Sequence, residues 1–167
     1  MPAQKNIILD SSSIEKKIER ISYEIYENNY DEKELILAGI KENGYELALR
    51  FKNRIESISK IKVNVISITI NKDEPANNPV ETDQDLKMVK GKTVIIIDDV
   101  AHSGRTLIYA MNPLLDFSPR KIQVAVLVDR KHKRFPITAD YVGLLLSTGM
   151  QERIILTLGK NEVAYVE

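Results

Sequence analysis

The sequence has no cysteine and only two histidines, and its formal net charge is zero. The absence of cysteine excludes a disulfide framework and any cysteine-based metal or redox site, and two histidines alone do not make a zinc site. Zero net charge gives no bulk electrostatic argument for a nucleic-acid partner, although a local basic face is compatible with it. The chain also lacks an apolar run of membrane-spanning length and the N-terminal pattern of a signal peptide. We therefore expect a soluble, cytoplasmic protein.

Length and hydrophobic periodicity predict one α/β domain over residues 1–167. The chain is 43% hydrophobic, which is enough for a real core at this length. Apolar, β-rich runs alternate with helical patterns, which is typical of a parallel sheet flanked by helices. The predicted strands are 34–38, 63–70, 94–97, 122–128 and 141–146; the predicted helices begin near residues 14, 45 and 107; a short strand at 7–10 and a hairpin over 153–166 complete the pattern.

The central stretch runs from Thr93 to Thr106. The β-branched run 94–97 predicts a strand buried on both faces, and Asp98 and Asp99 follow it directly. A short loop of small and polar residues, 101–106, then opens a helix. In open α/β sheets, ligands bind outside the carboxyl ends of the strands, which is where this loop is expected.

This combination of residues suits a ribose 5-phosphate. Free N–H groups at a helix N-terminus attract phosphate, and Gly104 permits a close backbone approach. The carboxylates of Asp98 and Asp99 suit the hydroxyls of a ribose or a hydrated Mg²⁺. The alternative is an ordinary capped helix preceded by two turn acids, but carboxylates at the end of a buried strand are costly unless they are used.

Three further segments are ambiguous from the residues alone. The segment from Gly39 to Gly44 repeats the strand–loop–helix plan and is either a second phosphate contact or an ordinary turn. Residues 71–90 are polar and charged, with two prolines, and form either an active-site flap or a disordered surface insertion. The basic cluster 129–134 is either a solvated loop or an anion contact.

Val94 to Thr106 resembles the motif that binds 5-phosphoribosyl 1-pyrophosphate (PRPP) in type I phosphoribosyltransferases. Further similarity, at Ile8-Leu9-Asp10, at Arg20-Ile21 and over 127–143, is to the pyrimidine operon attenuator/uracil phosphoribosyltransferase family. The resemblance implies the type I phosphoribosyltransferase fold: a central parallel sheet flanked by helices, a small hood over the base and a flexible flap over about 71–90. The hood is expected from the Val128-Asp129 region and the terminal residues.

The resemblance also implies roles for individual residues. Asp98 and Asp99 are expected to hold the ribose hydroxyls and Mg²⁺, directly or through water, and to act in catalysis with His102 and Lys72. The expected ligands of the 5-phosphate are Ala101, His102, Ser103, Gly104, Arg105 and Thr106. The expected ligands of the pyrophosphate are Gly39, Ile40, Lys41, Glu42, Asn43 and Gly44. Val128 and Asp129 are expected to contact the base, largely through their backbone.

Several positions depart from the family pattern. Glu42 and Asn43 stand where the nearest members carry more basic residues, and Lys72 stands where an arginine often precedes the aspartate of the flap. His102 occupies a position where uracil-specific members usually have tyrosine and purine-specific enzymes have an acid. A histidine there either faces the base and exchanges a proton or merely lines the phosphate loop.

The implied reaction makes a nucleotide from PRPP and a free base, with Mg²⁺ as cofactor and uracil giving UMP as the first choice. The alternatives are an RNA-binding attenuator that senses nucleotides and a purine phosphoribosyltransferase. RNA binding is disfavoured although Arg20 persists, because Glu19, Tyr23, Asn28 and Thr138 stand where regulatory members have other, mostly cationic, residues. The resemblance also implies a homodimer or a higher homo-oligomer.

Overall fold

The computed structural model describes residues 5–167; residues 1–4, which the predicted domain includes, lie outside this part of the chain. The elements are β1 (Asn6–Leu9), α1 (Ser11–Asn28), β2 (Glu34–Ile40), α2 (Asn43–Ile58), β3 (Lys62–Thr69), β4 (Glu81–Thr82), a 3₁₀ turn (Leu86–Val89), β5 (Thr93–Ala101), α3 (Arg105–Leu115), β6 (Lys121–Arg130), β7 (Tyr141–Leu146), β8 (Ile154–Thr157) and β9 (Val163–Val166).

Six strands form the main sheet in the order β4-β3-β2-β5-β6-β7. All neighbouring pairs are parallel except β3 and β4. Because successive side chains of a strand point to opposite faces, the buried run of β5 supplies two cores: Ile95 and Ile97 pack with α1 and α2, and Val94 and Ile96 pack with α3. The predicted parallel sheet flanked by helices is therefore confirmed.

The first and third core strands extend beyond their predicted ends. β2 continues through Ile40 and β5 continues through Ala101, so Asp98 and Asp99 are strand residues. Of the predicted loop 39–44, Gly39 and Ile40 belong to β2, and Asn43 and Gly44 open α2. The remaining connection is Lys41-Glu42, whose peptide bond is cis.

Half of the segment predicted as a flap, 71–90, is packed against the main sheet. Within it, β4 pairs with β3, and a carboxylate oxygen of Asp83 accepts a hydrogen bond from the Ser67 N–H at 2.8 Å. Leu86 and Val89 are buried in the core on the α3 face of the sheet. The expectation of a segment without a core face is therefore wrong for this second half, whereas 71–80 contains no helix or strand.

A second, smaller sheet is built from both ends of the described chain. Its strand order is β1-β9-β8, all antiparallel, so the predicted terminal hairpin is confirmed. This sheet, called the hood below, shares a core with α1 and α2 through Leu9, Leu156 and Val166. The predicted contribution of Val128 and Asp129 to the hood is wrong, because both residues lie in β6 of the main sheet.

Among residues 5–167, no helix has both the length and the apolar character that a membrane span requires.

Gly44 lies where the start of α2 meets the end of β5. A Cβ atom at Gly44 would stand 2.4 Å from the Ile97 carbonyl oxygen and 3.1 Å from the Asp98 Cα, both of which belong to backbone. No side-chain rearrangement can relieve such a contact. The absence of a side chain at this position is what lets the two segments of the site approach each other.

We predict that Gly44→Ala lowers the free energy of unfolding by about 1–2 kcal/mol, because the clash outweighs the helix propensity that alanine gains. Urea denaturation measures the change. The control is Gly149→Ala, whose Cβ would approach only the flexible side chain of Glu152, at 3.3 Å; its change is expected within about 0.5 kcal/mol. Equal stability of the Gly44→Ala and parent proteins would contradict the close approach.

Candidate active site

Asp98 and Asp99 lie at the carboxyl-terminal part of β5 and differ in their surroundings. The side chain of Asp98 is 2% exposed, and its Oδ1 accepts a hydrogen bond from the Asp99 N–H at 2.9 Å. Burial, reinforced by the neighbouring charge of Asp99, raises the pKa of Asp98 well above its usual value. Lys72, whose Nζ lies 3.8 Å from Asp98 Oδ1, partly opposes this shift.

Asp99 is partly exposed and is held at both of its oxygens. Its Oδ1 accepts from the Val100 N–H at 2.7 Å, and its Oδ2 accepts from Asn43 Nδ2 at 2.9 Å. The same nitrogen of Asn43 donates to the Leu156 carbonyl oxygen in the hood at 3.0 Å. The more accessible carboxylate of the pair is therefore also the more firmly oriented one.

The loop between β5 and α3 has the geometry of an anion site. Gly104 adopts φ +84°, and a Cβ at this position would lie 2.6 Å from Ile137 Cγ2, so glycine is required. The Ser103 carbonyl oxygen accepts from the N–H groups of Arg134 and Phe135, both at 3.0 Å, which fixes the loop from outside. The Arg105 N–H donates to Ser103 Oγ at 3.2 Å, and the next N–H groups of this first turn, which have no intrahelical acceptor, are available to a phosphate.

The side chain of Arg105 leaves this loop and reaches the start of the 71–80 segment. Its guanidinium donates to the Lys72 carbonyl oxygen at 2.6 Å and lies 3.5 Å from that of Asp73. The side chain of Arg105, one of the predicted 5-phosphate ligands, therefore ties the loop to Lys72. Lys72 is the residue whose amine faces Asp98.

A cavity of about 280 Å³ lies between the two acids and this loop. Its lining contains Lys72, Asp98, Asp99, Val100, Ala101, His102, Ser103, Gly104, Thr106, Leu107, Ile154, Ile155 and Leu156. The structure thus brings together both acids, Lys72 and most of the predicted phosphate loop. The β8 wall, 154–156, was not identified from the sequence, because nothing local in that strand indicates which part of the main sheet it covers.

His102 lies where this cavity meets two neighbouring ones. Burial lowers the pKa of His102 from its ordinary value of 6.5; Asp99 opposes the shift, and the positive charges of Arg130, Lys72 and Arg153 add to it. The neighbouring cavities bring Arg130 and the 132–134 cluster close to the imidazole. Members of the predicted basic cluster therefore line a cavity together with His102, and one of them, Arg130, adds to the effect of burial on its pKa.

The predicted pyrophosphate residues approach the acids mainly through their backbone. Gly44 abuts Ile97 and Asp98, as described above, and Asn43 bonds to Asp99. The Lys41 N–H donates to the Ile68 carbonyl oxygen at 2.9 Å, while the side chains of Lys41 and Glu42 are exposed. The segment 39–44 therefore lies beside Asp98 and Asp99.

The predicted base residues are buried at the end of β6. Val128 is fully buried, and Asp129 is 5% exposed, with its Oδ1 2.5 Å from Lys133 Nζ. The side chain of Asp129 is thus committed to an ion pair, and the backbone of both residues lies between β5 and β7 in the main sheet.

The groups of the site that could bind a metal are the carboxylates of Asp98 and Asp99. In the described residues, no three His, Cys, Asp or Glu side chains converge as a metal-binding group. Mg²⁺ is usually bound through one or two carboxylates together with waters and substrate phosphates. Adjacent acids beside a phosphate loop fit that donor set.

Comparison with known proteins agrees with this geometry. The family described as "Phosphoribosyl transferase domain" matches residues 4–157. A "Bifunctional protein PyrR" from Bacillus pumilus is 41% identical and covers 96% of this chain and 93% of its own length. A protein of the same name from Brevibacillus brevis is 40% identical and covers 95% of this chain and 93% of its own length.

Solved structures show the same fold at low identity. The hypoxanthine phosphoribosyltransferase of Trypanosoma cruzi superposes with a TM-score of 0.79 at 16% identity, covering 96% of this chain and 95% of that one. A hypoxanthine-guanine phosphoribosyltransferase from Bacillus anthracis gives 0.75 at 18% identity, with 98% of each chain covered. The protein therefore belongs to the phosphoribosyltransferase family, has the type I fold, and is a PyrR-like phosphoribosyltransferase.

Proposed function

We propose that this phosphoribosyltransferase uses PRPP and Mg²⁺ to convert uracil into UMP, within one domain over 1–167. The observation that carries the proposal is the cavity that Asp98 and Asp99 line together with most of the phosphate loop 101–106. A ribose 5-phosphate has vicinal hydroxyls that suit the acids and a phosphate that suits the loop. The choice of uracil rests on the resemblance to the attenuator/uracil phosphoribosyltransferase family.

In this proposal, PRPP binds with its 5-phosphate on residues 101–106 and its ribose hydroxyls on Asp98 and Asp99. The pyrophosphate lies at 39–44, where Lys41 is exposed and the backbone adjoins Asp98. The base contacts the backbone at Val128-Asp129, near His102. Asp98 and Asp99 would hold Mg²⁺, directly or through water, and the ion would supply positive charge to the pyrophosphate.

The reaction breaks the bond between C1 of the ribose and pyrophosphate and forms a bond from C1 to a nitrogen of the base. Positive charge develops on the ribose, and negative charge develops on pyrophosphate. The residues contribute by positioning the reactants and by placing charge where it develops: the acids face the ribose, and Lys72 and Lys41 face the leaving group. The proton of the base nitrogen passes to His102, whose lowered pKa keeps it able to accept one.

The contacts of Arg20 favour the enzyme over an RNA-binding regulator. Its guanidinium donates to the carbonyl oxygens of Val142 and Gly143, at 3.0 and 2.7 Å, and to Glu24 at 2.6 Å. These bonds tie α1 to β7 and use the cation that persists on the first helix. We propose that RNA binding is reduced in this protein, and that the enzyme works as a homo-oligomer.

Turnover with PRPP, Mg²⁺ and a panel of bases tests the proposal. We expect uracil to give UMP faster than hypoxanthine, guanine, adenine or orotate give their nucleotides, because the chain resembles the attenuator/uracil phosphoribosyltransferase family. Preference for hypoxanthine or guanine would instead favour a purine phosphoribosyltransferase. Tight PRPP binding without turnover of any base would favour a nucleotide-sensing regulator.

We predict that Asp99→Asn weakens PRPP binding by on the order of 1–3 kcal/mol, the range for the loss of a charged hydrogen-bond partner. Asp98→Asn should have the smaller effect, because burial already favours the protonated form of this residue. Calorimetric titration with PRPP measures both. Asp116→Asn, at an exposed position after α3, is the control. Parental affinity in the double Asp98→Asn, Asp99→Asn variant would refute the site.

We predict that His102→Phe lowers kcat by on the order of 10²-fold, the contribution of a general base, and leaves PRPP affinity nearly unchanged. A neutral ring accepts a proton and a protonated ring does not. The activity that depends on His102 is therefore present above its lowered pKa and lost as the pH falls through it, on an acid limb below 6.5.

A kcat/KM profile from pH 5 to 9 locates this limb in the parent and tests for its loss in the variant. His132→Phe, which changes the other histidine of the chain at an exposed position, should retain it. Identical profiles for His102→Phe and the parent would remove His102 from the mechanism.

A further inference from the structure

The side chain of Asn43 joins three parts of the molecule. Asn43 is the first residue of α2, and its Nδ2 lies 2.9 Å from Asp99 Oδ2 at the end of β5. The same nitrogen lies 3.0 Å from the Leu156 carbonyl oxygen in β8. One amide group therefore links the predicted pyrophosphate segment, the ribose-binding acid and the hood.

These two bonds use the full donor capacity of the side chain. A primary amide nitrogen carries two hydrogens, and Asn43 directs one at a carboxylate and one at a backbone carbonyl. Bonds to a charged acceptor are the stronger kind, so the bond to Asp99 dominates. With Val100 N–H on the other oxygen at 2.7 Å, the Asp99 carboxylate is fixed at both ends.

The framework around Asn43 holds this arrangement in place. Gly44 brings the α2 backbone against Ile97 and Asp98, so the position of Asn43 is set by backbone packing. Arg50 lies seven residues after Asn43, on the same face of α2. It forms an ion pair of two hydrogen bonds with Glu162, in the turn between β8 and β9. Arg50 also lowers the pKa of Glu162. Polar side chains of α2 therefore bond to the hood at two places: Asn43 bonds to Leu156, and Arg50 bonds to Glu162.

The bond from Asn43 fixes which way the Asp99 carboxylate points. Asp98 and Asp99 are adjacent, and two neighbouring carboxylates tend to turn away from each other. The donor on Oδ2 opposes such a rotation and holds Asp99 in the orientation in which it lines the cavity.

We infer that Asn43 is a positioning residue, which orients the Asp99 carboxylate for the ribose hydroxyls of PRPP and couples that carboxylate to the hood. The inference rests on the proposed PRPP site. It concerns the side chain of Asn43, whose donors are already bonded, and leaves its backbone N–H to the pyrophosphate.

The test is a double-mutant cycle read out by calorimetric PRPP binding in the presence of Mg²⁺. Asn43→Ala is expected to raise the Kd for PRPP about tenfold, as for the loss of a bond to a charged group. Asp99→Ala also raises the Kd. Because Asn43 acts through Asp99, adding Asn43→Ala to Asp99→Ala should change the Kd little further, whereas independent effects would multiply.

Steady-state kinetics separate positioning from general destabilisation. Asn43→Ala should raise the KM for PRPP by a factor similar to that for Kd and leave kcat within about threefold of the parent, the pattern for loss of ground-state binding. Asn53→Ala, at an exposed position of the same helix, is the matched control and should change neither constant. If the alanine variant does not fold, Asn43→Asp keeps the size of the side chain, sets a second acceptor against Asp99, and should weaken PRPP binding more strongly.

The outcomes distinguish this inference from the proposed function. A parent protein that binds no PRPP refutes the proposed function. A parent that binds PRPP, together with an Asn43→Ala variant of equal affinity, refutes the inference alone. Multiplicative effects in the cycle, or a fall in kcat that follows thermal destabilisation, would also refute it by assigning Asn43 a purely structural role.

Discussion

The burial of a carboxyl group at the end of β5 is the constraint on which the site depends. Removing a charge from water is costly, and a buried acid usually becomes neutral or acquires a partner. Here both responses are present: the pKa of Asp98 is raised, and Lys72 stands 3.8 Å away. Asp98 can be tolerated in this position only because the surrounding strands and α2 hold its neighbours in place. The adjacent Asp99 is left as the acid with free access to a ligand.

The balance of charge in the chain conceals a marked local asymmetry. Lysines and arginines equal aspartates and glutamates in number, yet the surroundings of His102 carry several cations from separate segments, including Arg130 and Arg153. Acids and cations therefore meet around His102: Asp98, Asp99 and Lys72 line one cavity, and Arg130 and Arg153 line a neighbouring one. His102 belongs to the lining of both cavities.

The sequence was sufficient for the features that depend on local pattern. The buried run 94–97, the acids after it and the small-residue loop predicted the β5–α3 unit, because strand burial and helix opening are encoded within a dozen residues. The limits of β2 and β5 were missed, since a strand continues as long as its neighbours supply hydrogen-bond partners. Leu86 and Val89 were assigned to a polar segment because isolated apolar residues show no periodicity, although both enter the core.

The hood was the least predictable part, because its strands pair residues from opposite ends of the described chain. The strand at 7–10 and the hairpin over 153–166 were predicted, but nothing local indicates that they join, as in the pairing of Asn6 with Val166. The contribution of Asn43 was hidden for the same reason: its partners, Asp99 and Leu156, are far away in sequence. From the sequence, Asn43 was expected as a pyrophosphate ligand or as part of a turn, and its side-chain bonds to Asp99 and Leu156 became visible only in the folded structure.

The pairing of β1 with β9 also sets the order in which the site can be completed during synthesis. The main sheet uses strands that are contiguous in the chain up to β7, so it can assemble as soon as residue 146 has emerged from the ribosome. β8, which forms one wall of the cavity, pairs with β9, and β9 pairs with β1. Seating this hairpin on β1 closes a loop of nearly the full described length, and such distant contacts form late. The acids therefore lie on a strand whose partners are nearer in the chain, whereas the hood side of the cavity is among the last parts to be completed.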